Sequence, residues 1–269
     1  MDNDNPPSES SPCLVLDAVS PAVLGASVME RLRQLATQHP SVPAGTTLYR
    51  QGEPFQAIYA VRVGAVKTVV NDAAGDEQVL SFRLPGEFFG LTAIHAGHYV
   101  NTAIALERTA VCSLSFPALS RVADEHPALR RQLMRLMSGV ILNEQDAHAA
   151  LAGHAAPARL AFILLALRRR MPEPEASAET LRLPMSRADL GQSVGLTPET
   201  TSRVFGQFRR HGLIHASGRR VRFLDTVRLQ AMAASISPAA PSRQVPQNVA
   251  GTTSANDGGR CSQAADGGG

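Results

Sequence analysis

The stretch from Ser186 to Ile214, SRADLGQSVGLTPETTSRVFGQFRRHGLI, constrains this chain more than any other, because it holds two helix start signals separated by one turn. Ser186 is placed to cap a first helix, with Asp189 three residues on as a short capping-box partner. That helix offers Leu190 and Val194 to a core, and Gly195 supplies the turn, where the backbone leaves little room for a side chain. Thr197 caps the second helix, Pro198 occupies the first helical position where its missing N–H costs nothing, and Glu199 lies in the first turn. Val204, Phe205 and Phe208 form its apolar stripe. Glu199, Ser202 and Arg203 stand at i, i+3 and i+4 and so share another face near its N-terminal end. A helix lying in a major groove presents its base-reading side chains there.

A surface helical hairpin with an ordinary solvated face would show much of the same pattern. The flanking charge separates the two readings. Arg209 and Arg210 close the second helix, and Arg219, Arg220 and Arg222 lie in an SGRRVRF stretch that reads as a hairpin wing. Ser186, Thr197, Thr200, Arg209, Arg219 and Arg220 are the candidate phosphate contacts, since hydroxyls and guanidinium groups at such places grip a nucleic-acid backbone. The whole chain carries a formal charge of only +3. His154 to Arg228 contains thirteen arginines, no lysine and six acids, a net +7, which leaves −4 for the remainder. The positive potential is therefore concentrated where a polyanion would be met.

At 269 residues the chain has room for two domains of ordinary size. Cys13, Cys112 and Cys261 are far apart and odd in number, which argues against a disulfide framework and for a reducing, cytoplasmic setting. No apolar run approaches a membrane span, and AFILLAL at Ala161 to Leu167 runs into three arginines. No signal peptide is visible at the N-terminus. No Ser, His and Asp arrangement, phosphate loop, paired carboxylates or metal-ligand spacing supports an enzyme.

The expected architecture is α+β. Residues 1–13 are polar, Pro-rich and expected to be disordered. Residues 14–126 open with a short helix around Ala26 to Gln38 and continue as short β-rich runs between glycines. Gly64, Gly75, Gly86 and Gly97 fall eleven residues apart, suited to an antiparallel β-barrel or jelly roll that acts as a sensor domain. Within that domain the period becomes helical from Leu119 to His126. Residues 127–153 read as one long helix. Met134, Met137, Ile141, Glu144, His148 and Leu151 are spaced 3, 4, 3, 4 and 3 along it, the seam of a coiled coil. Leu129, Leu133, Leu136 and Val140 form a second stripe, so this helix wants two partners: its own domain and, most economically, the same helix of a second subunit. Both stripes could also be intramolecular core. Glu144 and His148 are costly inside a seam, which makes them candidates for conditional dimerisation unless that end is simply solvated. Residues 154–234 are the winged helix-turn-helix domain, opening with a helix over Ala158 to Met171, and residues 235–269 read as a disordered tail.

A β-roll, a long connecting helix and a C-terminal winged helix-turn-helix resemble the Crp/Fnr superfamily. NTAIALERTAVCSLSF, LMRLMSGVILNEQDAH, ARLAFILLALRRR and LRLPMSRADLGQSVGLTPETTSRVFGQF are similar to segments of its FNR branch, over roughly Leu14 to Asp225. The resemblance implies a cyclic-nucleotide-binding-like roll and a cytoplasmic, homodimeric, DNA-binding transcription regulator of activator type. It implies that Glu199, Ser202 and Arg203 read a TTGAT-type half-site in an inverted repeat. Arginine would grip guanine O6 and N7, the carboxylate would accept from a cytosine amino group, and the hydroxyl would meet a thymine edge. It further implies that Gly75, Asp76 and Glu77 touch RNA polymerase and that Glu144 opposes dimerisation.

Two departures from the family pattern bear on the signal. FNR-type iron–sulfur clusters need several N-terminal cysteines plus one in the barrel, whereas here only Cys13 and Cys112 are in place, so no four-cysteine cluster is expected. Cys112 reads as a small buried residue. Crp-type rolls hold cyclic AMP with a glutamate just after a glycine and an Arg-Ser pair further on; this chain has Leu91 and Thr92 after Gly90, then Asn101 and Thr102. Without an arginine for the phosphate, cyclic AMP is not expected. The remaining readings are a regulator with no cofactor, as in FixK-type relatives, or a haem-based sensor of nitric oxide or redox state, as in DNR-like relatives, with His95, His98 or His148 as ligand. From another class, a β-roll interaction module without specific DNA binding stays open.

Overall fold

The computed structural model describes residues 21–71, 75, 77–151, 153–171 and 179–234. The expected tails, residues 1–13 and 235–269, lie outside these. The chain opens with α1 (Pro21–Leu35), β1 (Ala36–Gln38), β2 (Thr47–Tyr49), β3 (Ala57–Val63), β4 (Val66–Asn71), β5 (Glu77–Arg83), β6 (Phe88–Phe89), α2 (Ala93–Ala96), β7 (Thr102–Ala105) and β8 (Ala110–Ser115). Two four-stranded antiparallel sheets form the roll, in the orders β1-β8-β3-β6 and β2-β7-β4-β5. The first helix ends earlier than its sequence suggests: Ala36, Thr37 and Gln38 leave it to pair with Leu114, Ser113 and Cys112. An unsatisfied edge on β8 outweighs helix propensity there.

Between the sheets lies an aromatic core. Tyr49, Tyr99 and Phe89 are buried, and Tyr59 packs against them. The Tyr49 and Tyr99 rings stack with centroids 3.9 Å apart. The Tyr49 hydroxyl donates to Asn101 Oδ1 at 3.0 Å and that of Tyr99 to the Ala57 carbonyl at 2.9 Å, so the polar tips are satisfied inside an apolar space.

A bulge in the β4–β5 pair shapes the outer face. Thr68 opposes Ser81 but Val69 opposes Val79, which leaves Leu80 as the extra residue. The skipped residue turns Val79 and Phe82 to the same side, and both join Ala65, Val69 and Leu84 in a buried patch on the outside of the roll.

α3 (Phe116–Glu125) and α4 (Pro127–Leu151) follow. Leu129 of α4 is fully buried, and Leu133 and Leu136 pack beside it against α1, α3 and the β3–β8 face. Met134, Met137, Ile141 and Leu142 remain exposed, Met134 to 63% and Ile141 to 56%. Of the described side chains on α4, the subunit covers Leu129, Leu133 and Leu136 and leaves Met134, Met137 and Ile141 open.

The last part contains α5 (Ala156–Arg170), β9 (Thr180–Arg182), α6 (Arg187–Gln192), α7 (Pro198–Arg210), β10 (Ile214–Ser217), β11 (Arg220–Phe223) and α8 (Thr226–Ala234). Its three-stranded sheet runs β10-β11-β9, so the wing has a third strand beyond the hairpin expected from SGRRVRF. Leu160, Leu164, Leu167, Leu181, Leu190 and Phe208 are fully buried in one cluster that also takes in the patch on the roll. The roll and the helix-turn-helix thus share their largest apolar core.

Candidate nucleic-acid interface

α6 and α7 are held at close quarters by their termini and by one small residue. The Ser186 hydroxyl accepts from the Asp189 N–H at 3.0 Å and donates to the Asp189 carboxylate at 2.6 Å, while the Ser186 N–H donates to the same carboxylate at 3.2 Å. This capping box satisfies orphan donors of the first turn. Gly195 sits in the turn at φ 64°, a left-handed backbone that a side chain would strain. Thr197 then caps α7 through the Thr200 N–H at 3.2 Å. Val204, Phe205 and Phe208 are buried, each aromatic contributing on the order of 1.5–3 kcal/mol of transfer free energy, and this fixes which face of α7 is left outside.

That outer face carries Glu199, Ser202 and Arg203, all exposed. Arg209, Arg219 and Arg220 are exposed nearby, as are Arg210 and Arg222. Arg220 and Arg222 line, with His215 and Ser217, a shallow groove of about 330 Å³ on the wing sheet. Of the other proposed phosphate contacts, Ser186 and Thr197 are exposed at their helix starts and Thr200 is half-buried. Arg219 also donates to the Pro184 carbonyl at 2.9 Å.

Sequence reading missed several supports. Arg187 lies 4.8 Å from the centre of the Phe205 ring and donates to the Gly218 carbonyl at 3.2 Å, which pins α6 to the wing tip. Arg159 of α5 donates to the Val194 carbonyl at 2.9 Å, holding the turn. Thr201 is fully buried, its hydroxyl bonded to the Thr197 carbonyl at 2.9 Å, against Gly191. A glycine among helix-favouring residues is the signal that could have revealed this crossing.

The domain is also tied to the roll by charge. Lys67 of β4 reaches Glu77 of β5 at 2.5 Å and Asp189 of α6 at 3.0 Å. Burial alone would depress the Lys67 ammonium, but the bonds and charges of Glu77 and Asp189 outweigh it and hold its pKa above the ordinary value. Burial likewise opposes ionisation of Asp189, yet Ser186 and Lys67 keep that carboxyl below its usual range. Gln192 of α6 donates to the Glu77 carbonyl. Arg182 of β9 meets Glu107 at 2.8 Å, and Arg170 of α5 meets Glu87 in a two-pronged contact at 2.8 and 2.7 Å.

The remaining expected residues are less concentrated. In the segment proposed to meet polymerase, Gly75 is exposed, Asp76 lies outside the described residues, and Glu77 is half-buried and engaged as above. On α4, Glu144 is paired with Arg83 at 3.2 Å, and the side chains of His148 and Leu151 lie outside the described residues. His95 and His98 are exposed at and just after α2. Cys112 is fully buried, as its strand pattern suggests, and it is disulfide-bonded. The scattered, odd cysteine count argued against a disulfide framework, and a bond at Cys112 is nonetheless present. A disulfide sulfur is not free to ligate iron, so Cys112 does not fit an iron–sulfur cluster, and among the described residues no three His, Cys, Asp or Glu side chains gather as metal ligands. Nor does the roll fit a cyclic nucleotide: the stacked tyrosines occupy its interior and Asn101 is committed to Tyr49. Among the described residues no helix is long and apolar enough to cross a membrane.

Comparison with known proteins agrees with this layout. Residues 40–126 match the cyclic nucleotide-binding domain family and residues 158–232 the Crp-like helix-turn-helix domain. The chain is 39% identical to the transcriptional activator protein Anr of Pseudomonas aeruginosa, over 85% of this chain and 93% of that one. It is 34% identical to the fumarate and nitrate reduction regulatory protein of Salmonella typhimurium, over 82% and 88%. The solved structure of FixK2 from Bradyrhizobium japonicum superposes with a TM-score of 0.67 at 31% identity, covering 77% of this chain and 99% of that one. With a β-roll, a long helix and a winged helix-turn-helix in the same order as these relatives, the chain belongs to the Crp/Fnr family of transcription regulators.

Proposed function

We propose that this protein is a cytoplasmic homodimer that binds an inverted repeat of TTGAT-type half-sites and activates transcription by contact with RNA polymerase. The observation that carries the reading is the outer face of α7, where Glu199, Ser202 and Arg203 stand exposed on a helix whose other side is locked by Val204, Phe205 and Phe208. Arg203 grips guanine O6 and N7, Glu199 accepts from cytosine N4, and Ser202 meets thymine. Ser186, Thr197, Thr200, Arg209, Arg219 and Arg220 hold phosphates. The exposed stripe of α4 from Met134 to Ile141, continued by Glu144, His148 and Leu151, forms the subunit seam and sets the two recognition helices one helical turn of DNA apart. Activation is supported by the relatives named transcriptional activators, and Gly75 to Glu77 is the proposed polymerase contact.

The reading is tested by titrating the purified protein against a labelled TTGAT inverted repeat and a scrambled duplex of equal length. Preference for the repeat with a stoichiometry of two subunits per duplex is expected. Equal affinity for both duplexes, or a single subunit on the repeat, overturns it.

A further inference from the structure

We propose that the roll, through Lys67 on its β4–β5 face and through Glu87 and Glu107 beside it, determines which half-site spacing the protein accepts, by clamping the helix-turn-helix of the same subunit in one orientation. The inference rests on the inverted-repeat reading above and deepens it. Gly153, at φ 74°, stands between α4 and α5, and a glycine link of this kind gives little restraint on how the DNA-binding domain is turned relative to the long helix. Contacts have to supply that restraint. The apolar patch of Val69, Val79 and Phe82 attracts the domain without direction, because burial is indifferent to rotation about the contact. Direction comes from the ion pairs.

Three elements of the DNA-binding domain are each tied to a different part of the roll. α6 is held through Asp189 by Lys67, β9 through Arg182 by Glu107, and the end of α5 through Arg170 by Glu87. Three separate attachment points fix a rigid body, and charge-assisted bonds hold their partners in defined geometry. Lys67 is the centre of the arrangement, its side chain only 15% exposed and shared between two carboxylates. The docked domain leaves Glu199, Ser202 and Arg203 exposed, so the clamp orients the reading face and does not cover it. One base pair of altered spacing moves a half-site by about 3.4 Å along the duplex and rotates it by about a tenth of a turn. A clamped domain cannot follow that displacement; a freed one can.

The test uses the full-length protein and operators with identical half-sites at the best spacing and at one and two base pairs either side. The proteins compared are wild type, Lys67→Ala with Arg182→Ala, Arg182→Glu, and Arg182→Glu with Glu107→Arg, each checked by thermal unfolding. The clamp predicts that the first variant keeps its affinity at the best spacing to within a few-fold but loses about tenfold of its discrimination against altered spacing, roughly one mismatch's worth. Arg182→Glu loses discrimination likewise, and the reciprocal Glu107→Arg restores it. Unchanged discrimination in the first variant, with the wild type still selective for the half-site sequence, overturns the clamp alone. Tighter binding at every spacing overturns it by making the contact a lock on DNA binding. Uniform weakening that Glu107→Arg does not rescue overturns it as mere loss of folding. A wild-type protein that does not distinguish repeat from scrambled duplex overturns the functional reading and the clamp together.

Discussion

A Cβ added to Gly191 would overlap Thr201 Oγ1 and lie 2.9 Å from Thr201 Cβ, so α6 crosses α7 at a point with no room for a side chain. Gly191→Ala forces the helices apart, and overpacking of this kind costs about 1–3 kcal/mol. The expected result is a lower denaturation midpoint with weaker binding to every duplex, since α7 loses its seat. An unchanged midpoint in urea would show that the two helices have more freedom than this crossing gives them.

Arg203 and Arg220 are both exposed arginines, but they are expected to fail in different ways. Arg203→Ala should cost about 1–3 kcal/mol and relax preference at the guanine position alone. Arg220→Ala should weaken all sequences alike and lower the slope of log affinity against log salt by about one. Equal loss on random DNA counts against base reading by Arg203, and an unaltered slope removes Arg220 from the phosphate set.

Glu144 bonds Arg83 at 3.2 Å from the edge of the proposed seam, where its charge has a partner in its own subunit. Glu144→Leu continues the apolar line of Met137 and Ile141 and should shift sedimentation toward dimer at a given concentration. No shift would remove Glu144 from control of assembly. Arg83→Ala, which leaves the carboxylate unpaired, should push the equilibrium the other way.

The chain has three tyrosines and no tryptophan, so absorbance near 295 nm reports tyrosine ionisation alone. Burial, with a smaller contribution from Tyr99, pushes Tyr59 up to about 12, and burial raises Tyr49 further. In the unfolded chain a tyrosine ionises near 10. The folded state therefore keeps protons that the unfolded state releases, and the stability this represents is intact below pH 10 and lost as pH rises toward 12. At pH 10.5 the native protein should keep the Tyr49 and Tyr59 hydroxyls protonated, so that their tyrosinate absorbance rises cooperatively as it unfolds. A gradual titration centred near 10 would mean that the aromatic core is open to solvent.

What the sequence determined by itself was the part written in local rules. Helix caps, Gly195 and the apolar stripe of α7 are short-range signals, so the motif and its exposed triad of Glu199, Ser202 and Arg203 were legible, as was the change of period after Pro117. The family resemblance extended this to the roll. Tertiary structure decided what depends on residues remote in the chain. Ala36 to Gln38 became a strand because β8 offered an edge; Thr180 to Arg182 joined the wing because β11 did. Gly191 is a glycine because of Thr201, ten residues away on another helix. Lys67 and Asp189, 122 residues apart, meet only because the bulge at Leu80 turns Val79 and Phe82 outward and draws the helix-turn-helix onto the roll. A one-dimensional pattern records which residues are apolar or charged, but the distance between two such residues is fixed by the packing of everything between them.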